Sequence, residues 1–506
     1  MAHDNGGSLL RLVSPTGILS FDLIIVLLGL SCLYIVGTAI FFLTFHPLAK
    51  VPGPKLCAVT RMPFWINYVK GNDVKWMFGL HEKYGPVVRF GPTDISCSSA
   101  QGWKDVHGHV RGQRDMEKAQ EAFVQPINGV PSILTTDYEN HNRVRRLFLP
   151  AFSERALKKQ EPLFQKYVDI LVSKLHELGD NGTPVEMMQL YNFATFDTMA
   201  ELCFGHPLGL LEKNEFSPWV ASIFGSIKMM PYSTMIGYYT ILREFFARFE
   251  PKAIRKQRVE HCKHAEDRVN QRLHEGSDQP DIWNLVMVAD GSEKGLTLKE
   301  MHSNAELFMI AGSETTATLL SGLTFLLLTN PEKMQRLAKE IRDSAKAIKD
   351  IHFDTIANLK YMNACIKEGL RLYPPVPFGA PRVVPAGGHT VMGFWLPEET
   401  RVSCHHYSAY YSEANFKNAT SFVPERWLGD PAYVDDSRDA WQPFGYGARD
   451  CVGQNMAMHE MRLLLAHVLF SFDFEICDES RDWIDQETYA LWIKKPLLCR
   501  LKPVKN

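Results

Sequence analysis

From Leu23 to Phe45 the chain reads LIIVLLGLSCLYIVGTAIFFLTF, 23 residues without a charge. At about 1.5 Å of rise per residue, one helix of that length crosses roughly 30 Å of hydrocarbon. A cleaved signal peptide has an apolar core of only about 7 to 15 residues, behind a basic start and ahead of a small-residue cleavage site. This run is longer and ends in aromatics, so residues 23–45 are expected to form a transmembrane anchor behind a short lumenal N-terminus, residues 1–22. Arg11 is the single Lys or Arg before the span, whereas Lys50, Lys55 and Arg61 follow it. The positive-inside rule then places everything downstream in the cytosol. The sequons at Asn181 and Asn418 would stay unused.

No second uncharged run of that length and no repeat period occurs. His46-Pro47 and Val51-Pro52-Gly53-Pro54 form a Pro-rich hinge over residues 46–55, since each Pro fixes its own φ and extends the residue before it. Residues 56–506 show no linker and read as one large body, mainly α with a minor β portion. Fifty-five Lys and Arg nearly cancel 57 Asp and Glu, so no basic field advertises a nucleic-acid partner. With 45% hydrophobic and 22% charged residues the chain can bury a large core. Its ten cysteines contain no C-x-x-C pair, which argues against a disulfide scaffold or a zinc module.

Thr297-Leu-Lys-Glu300 is a capping box, and the apolar pattern behind it runs to Leu328 before Asn330-Pro331 opens another helix. About 32 residues span nearly 50 Å, enough to cross a domain. Mid-helix stands Ala311-Gly312-Ser313-Glu314-Thr315-Thr316. Gly costs about 1 kcal/mol there against Ala, and hydroxyls compete for backbone carbonyls. Two readings stand side by side: a widened turn beside a small-molecule site, or a notch that lets helices cross closely.

Glu368 and Arg371 share one face of a helix that ends at Pro374-Pro375. An exposed pair of this kind is worth a few tenths of a kcal/mol. Phe422-Val-Pro424-Glu425-Arg426-Trp427 supplies a second Arg, and if Arg426 joins them a bidentate Arg-Glu-Arg knot can lock the core.

Phe444-Gly-Tyr-Gly-Ala-Arg449-Asp-Cys451-Val-Gly453 precedes an apolar helix reaching about Phe472. Its glycines permit tight turns, and a Cys ahead of a helix N-terminus is favoured as thiolate. A thiolate with hydrogen-bond support suits iron as an axial ligand. A lone Cys is usually a small buried hydrophobe, but F-x-x-G-x-R-x-C-x-G arises by chance in on the order of one chain in ten thousand.

Phe444 to Gly453 resembles the haem-binding loop of the cytochrome P450 family, the haem-thiolate monooxygenases. Ala311 to Thr316 is similar to that family's A-G-x-[DE]-T-T motif, Glu368 to Arg371 to its E-x-x-R, and Phe422 to Trp427 to its P-E-R-[FW] segment. The resemblance runs from about residue 50 to the end, and the anchor with its hinge resembles the microsomal members. It implies the cytochrome P450 fold, haem b with Cys451 as the iron's ligand, Phe444 over the thiolate, and Gly453 close to the cofactor. Arg449, Arg382 and, in the family's helix C, His141 and Arg145 would meet the haem propionates; His141 stands where many members have Trp. Thr315 and Glu314 would handle dioxygen and protons, and Glu368, Arg371 and Arg426 would form a structural knot.

By the same resemblance the pocket is lined by the segment around Phe123 to Leu134, by Phe308 and Ala311, by Val376 to Ala380 including Phe378, and by Ala490 and Leu491. These are mostly apolar, so a lipophilic substrate is expected. Residues 223–239, with Met229, Met230, Tyr238 and Tyr239, read either as an access lid dipping into the membrane or as ordinary helical core. Electrons would come from NADPH through a membrane-bound NADPH-cytochrome P450 reductase, with cytochrome b5 as a further candidate donor, docking on Arg143, Arg146, Lys158 and Lys159. The endoplasmic reticulum membrane is the expected location. The chain most resembles filamentous-fungal members acting on terpenoid, polyketide or alkaloid intermediates, by hydroxylation, epoxidation, desaturation or oxidative coupling. A haem-thiolate isomerase or lyase, and a non-catalytic haem or ligand carrier, remain the alternatives; the Glu314-Thr315 pair weighs against the isomerase.

Overall fold

In the computed structural model, residues 21–109, 115–123, 128–179, 182–249, 251–276, 281–289 and 295–504 are described. Helix Phe21–Ile40 continues through a π-helical turn, Phe41–Phe45, so the uncharged run is helical from Leu23 onward and none of its apolar window is buried in protein. Among the described residues it is the one helix long and apolar enough to cross a membrane. The Pro-rich segment folds back at once into a short 3-10 turn, Pro47–Lys50, and a helix, Lys55–Val59. Arg89, buried in strand Val87–Gly91, donates to the Phe42 and Pro92 carbonyls at 3.0 and 2.7 Å. The end of the apolar helix is therefore hydrogen-bonded to the body rather than joined to it by a loose tether.

Helix Leu298–Leu328 crosses the body as its central rod and opens on the expected capping box, Thr297 and Glu300 bonding reciprocally. It lies against helix Met187–Phe204, which is buried almost all round and so shows no polar face. Gly312 belongs to this crossing, because a Cβ there would come within 2.7 Å of the Met199 sulfur. The α-helical pattern is unbroken from Ala311 to Thr316, so the widened turn is not present and the packing notch is. Asp197, beneath the same crossing, accepts from the Leu208, Leu210 and Leu211 amides and staples the following loop to the core.

Helices dominate, and the β portion is peripheral. A five-stranded sheet runs Val87–Gly91, Asp94–Cys97, Arg401–Cys404, Arg382–Val383, Glu117–Lys118, with Asp94–Cys97 and Arg401–Cys404 parallel and the other pairs antiparallel. A three-stranded sheet joins Val185–Glu186, Leu498–Pro503 and Phe472–Ile476, bringing the chain's C-terminal segment against helix Met187–Phe204. All ten cysteines are free. Asn181 and residues 124–127 of the expected pocket segment lie outside the described residues.

Candidate active site

Helix Gln454–Ser471 starts three residues after Cys451, and the Cys451 amide donates to the Phe444 carbonyl at 2.8 Å. This bond closes the loop and sets Phe444 beside the cysteine. Gly445 and Gly447 sit at φ +80 and +81, where only Gly is unstrained, and a Cβ on Gly447 would strike the His107 carbonyl. The Cys451 side chain is accessible although it lies deep in the molecule, so it faces an interior hollow. Burial pushes its thiol pKa up, with the Gly453 N–H pulling down and Asp450 adding to the rise. The helix start alone thus leaves a thiol, and a bound cation would supply what a thiolate needs.

A second accessible strip occurs on the central helix. Leu307, Ile310, Gly312 and Thr315 are half-buried and Ala311 is exposed, while Phe308, Met309, Ser313, Glu314 and Thr316 are buried. The spacing of 307, 311 and 315 puts these on one face. Thr315 Oγ1 donates to the Ala311 carbonyl at 2.6 Å. Phe308 is not on this face: its ring packs edge-on against Phe148 and Phe152 in the core, so the helical phase gives the accessible strip Leu307 and Ile310 instead. Val376 and Phe378 are half-buried in the segment leading to strand Arg382–Val383, and Leu491 is half-buried in a hairpin whose tip, Ala490, holds φ +65.

Beside Cys451 gathers a group of cations. Strands Glu117–Lys118 and Arg382–Val383 set Lys118 directly opposite Arg382. Lys118 donates to the Leu134 carbonyl and Arg449 to the Thr136 carbonyl, both at 2.9 Å. Arg382 Nη1 reaches the Met116 carbonyl at 3.4 Å, while its buried Nε has no partner. Burial and the charges of Arg382 and Arg449 drive the Lys118 pKa far down. His141, buried on helix Tyr138–Phe148, is pulled to about 4 by burial, then by Arg449, Lys118 and Arg145, so it is neutral at pH 7. Cations whose donors go to backbone carbonyls rather than to carboxylates, with an orphaned guanidinium nitrogen, fit a ligand carrying carboxylates, as haem does. Lys118 escaped the sequence reading, because a two-residue strand has no periodicity to reveal it.

Arg145 departs from its expected role. It donates to the Asp450 carbonyl at 2.7 Å and pairs with the Asp450 carboxylate, clamping the residue before Cys451 to helix Tyr138–Phe148. Glu314 also turns away from the accessible strip: its carboxylate is buried and bonded to Lys494 at 2.5 Å. Arg143 pairs with Glu300 and Lys158 with Asp354, which leaves Arg146 and Lys159 as the exposed cations of the expected docking face that carry no ion pair.

Glu368, Arg371 and Arg426 meet, and all three are at most 1% exposed, unlike the surface pair a lone i, i+3 spacing suggests. The carboxylate accepts from Arg371 Nε and Nη2 at 3.0 and 2.8 Å, Arg426 Nε at 3.1 Å, Trp427 Nε1 at 2.9 Å and the Val423 amide at 3.0 Å. Burial pushes the Glu368 pKa up, but Arg371 and Arg426 outweigh it and hold the carboxyl below its ordinary value. Arg371 also donates to the Tyr410 carbonyl, and the Tyr410 hydroxyl accepts from the Gln442 amide, two residues before Phe444. A chain of hydrogen bonds thereby links the knot to the cysteine loop.

The expected lid forms helices Pro218–Ile227 and Met230–Tyr238, with Tyr239 accepting from Trp65 Nε1 at 3.1 Å. Tyr238 lies under Arg61 and Arg401. The more exposed apolar surface falls past residue 239, on helix Thr240–Phe249, where Ile241, Phe245, Phe246 and Phe249 are all exposed.

The Cytochrome P450 family model matches residues 51–501. Cytochrome P450 monooxygenase efuB of Hormonema carpetanum is 43% identical over 475 residues, 93% of this chain and 94% of that protein. Cytochrome P450 monooxygenase FUM2 of Gibberella moniliformis is 44% identical over 466 residues, 91% of this chain and 99% of that protein. Averantin hydroxylase of Dothistroma septosporum is 37% identical over 500 residues, 98% of this chain and 94% of that protein. Matched over nearly its whole length by monooxygenases whose own chains it nearly covers, the chain belongs to the cytochrome P450 family.

Proposed function

We propose that this chain hydroxylates a lipophilic small molecule of fungal secondary metabolism, tethered by residues 23–45 to the endoplasmic reticulum membrane with its body in the cytosol. The family's cofactor is haem with an axial thiolate, which when bound supplies dioxygen activation driven by electrons from NADPH through a reductase. The observation that carries the reading is the pairing of an accessible, deep-lying Cys451 with a cation cluster in which the buried Arg382 Nε has no partner. Cys451 would ligate the iron; Lys118, Arg382, Arg449 and neutral His141 would hold the propionates. Arg145 acts one step back, fixing Asp450 and so the loop.

On the central helix Leu307, Ile310 and Ala311 present an apolar surface, and Val376, Phe378 and Leu491 are assigned to the same pocket. Such a lining binds an apolar substrate by excluding water and leaves its orientation to shape. Thr315 offers the one hydroxyl on the strip, where it hands protons to the reaction site, and Glu314 is their next holder along the helix. Hydroxylation is put first because a relative bears the name averantin hydroxylase. Ile241, Phe245 and Phe249, with Leu56, Met62 and Ile66 after the hinge, form a second membrane contact.

The test is the absorption spectrum of the purified full chain, reduced and exposed to carbon monoxide, with Cys451→Ser alongside. A strongly red-shifted Soret band that the substitution abolishes is the expected result. Haem bound without that band in the unaltered chain overturns the ligand assignment. Incubation with reductase, NADPH and a library of terpenoids, polyketides and alkaloids then reads the substrate; NADPH consumption that no library member alters, with product still formed, points to an isomerase or lyase.

A further inference from the structure

Lys494 belongs to no motif that drew attention to the site. It lies two residues beyond strand Leu491–Trp492 in the C-terminal segment, with a side chain 3% exposed. Its Nζ donates to Glu314 Oε1 at 2.5 Å and to Thr318 Oγ1 at 2.8 Å, and Thr318 donates to the same Oε1 at 3.3 Å. Glu314 is 2% exposed, and its Oε2 has no partner. Burial lowers the Lys494 pKa, with Glu314 and then Glu186 pulling it back up. Glu186 is half-buried at the edge of the three-stranded sheet, where it accepts from the Met188, Gln189 and Leu497 amides. The titratable groups facing the pair are Glu186 on the Lys494 side and Tyr373, whose hydroxyl donates to Gln486, on the Glu314 side.

Burying an ammonium and a carboxylate together is rarely a gain in stability, since desolvation offsets their attraction. A pair placed beside the reaction strip therefore calls for another explanation. Glu314 and Thr315 are successive residues, about 100° apart around the helix, so the carboxyl can point to the strip or to its flank. Lys494 draws it to the flank. We propose that Lys494 is the positioning residue of Glu314: it holds that carboxyl on the helix flank, aimed away from Thr315, and so sets how readily Glu314 passes protons to the reaction site. This rests on the monooxygenase reading above.

Two measurements test it. The first is thermal unfolding, between pH 5 and 8, of the unaltered chain, Lys494→Met, Glu314→Gln and the double variant. Burial without a counter-charge penalises only the charged form of a carboxyl, so the deficit of Lys494→Met is small in acid and grows as pH rises. A loss of roughly 3–5 °C at pH 8 is expected, most of it recovered in the double variant. Deficits that simply add, with no pH trend, overturn the pairing. The second measurement uses reductase and NADPH without added substrate. Dioxygen is reduced either by two electrons with two protons to peroxide, or by four electrons with four protons to two waters. In Lys494→Met that retains its haem spectrum, the carboxyl is released toward Thr315, so the water-forming rate should rise about tenfold and the peroxide share fall, with Lys494→Arg restoring both. An unchanged partition in Lys494→Met, beside the expected loss of stability, makes Lys494 merely structural and sinks the proposal. Failure of the monooxygenase reading shows separately, as a missing carbon monoxide band in the unaltered chain, and leaves the unfolding cycle valid.

Discussion

Glu368→Gln is the substitution whose consequence follows most directly from the coordinates. The carboxylate takes five donors: two from Arg371, one each from Arg426 and Trp427, and the Val423 amide. Gln keeps the volume but halves the acceptors and aims an NH2 at guanidinium groups with no more than 1% exposure. Removing one partner of a buried ion pair costs about 3–5 kcal/mol, because the survivor stays buried and unpaired. At about 2 cal/mol/K per residue, a body of this size loses roughly 3–5 °C of melting temperature. Thermal unfolding by circular dichroism, with the carbon monoxide difference spectrum per milligram, reads both stability and haem occupancy. The pH dependence supplies the sign. Arg371 and Arg426 hold the Glu368 pKa below its unfolded value, so its contribution is present above that value and disappears as pH falls through the folded pKa. The unaltered chain should therefore lose stability steeply in acid, and Glu368→Gln less steeply. A variant as stable as the parent at pH 7, with the same acid slope, would refute the reasoning, because the knot would then contribute nothing net.

Lys118→Met should raise the melting temperature of the haem-free chain by relieving like charge against Arg382 and Arg449, yet speed haem loss to an apomyoglobin acceptor about 10- to 100-fold, one charge-assisted hydrogen bond's worth. Glu460, buried on helix Gln454–Ser471, has its pKa raised to about 8 by burial, the Thr316 hydroxyl opposing. Its folded pKa exceeds the unfolded value, so stability is full at acid pH and falls as pH rises through about 8; Glu460→Gln should flatten that slope in thermal unfolding. Replacing Ile241, Phe245 and Phe249 together by Ser in a chain lacking residues 1–45 should cut its sedimentation with lipid vesicles at least about tenfold, each apolar side chain being worth about 1.5 kcal/mol or more when buried. Arg146→Glu should weaken reductase-driven turnover and spare peroxide-driven turnover, since Arg146 is exposed without an ion pair.

What the sequence made legible are features whose physics is local. The long N-terminal apolar helix follows from the absence of charge, the central helix from a capping box and its apolar pattern, and the cysteine loop from glycines that must adopt positive φ. Phe308 was misplaced by a fraction of a turn: in a helix buried on most of its surface, apolar residues all round conceal which face is the accessible one. Lys118, the Arg145 clamp and Lys494 were illegible for a different reason. Each acquires its meaning from a partner far along the chain, Arg382, Asp450 and Glu314 respectively, and a lone Lys or Arg in sequence is by default a solvated side chain. Glu368 and Arg371 illustrate the same limit, since burial alone turns a spacing worth a few tenths of a kcal/mol into a knot whose rupture costs several. The strand pair that sets Lys118 against Arg382 goes further. It opposes its own formation, like charges facing each other across two-residue strands, and the burial of both makes the repulsion worse. A bound anion would offset such a pairing, so the local rule that fails there is an argument, independent of any motif, for the proposed seat of the cofactor's carboxylates.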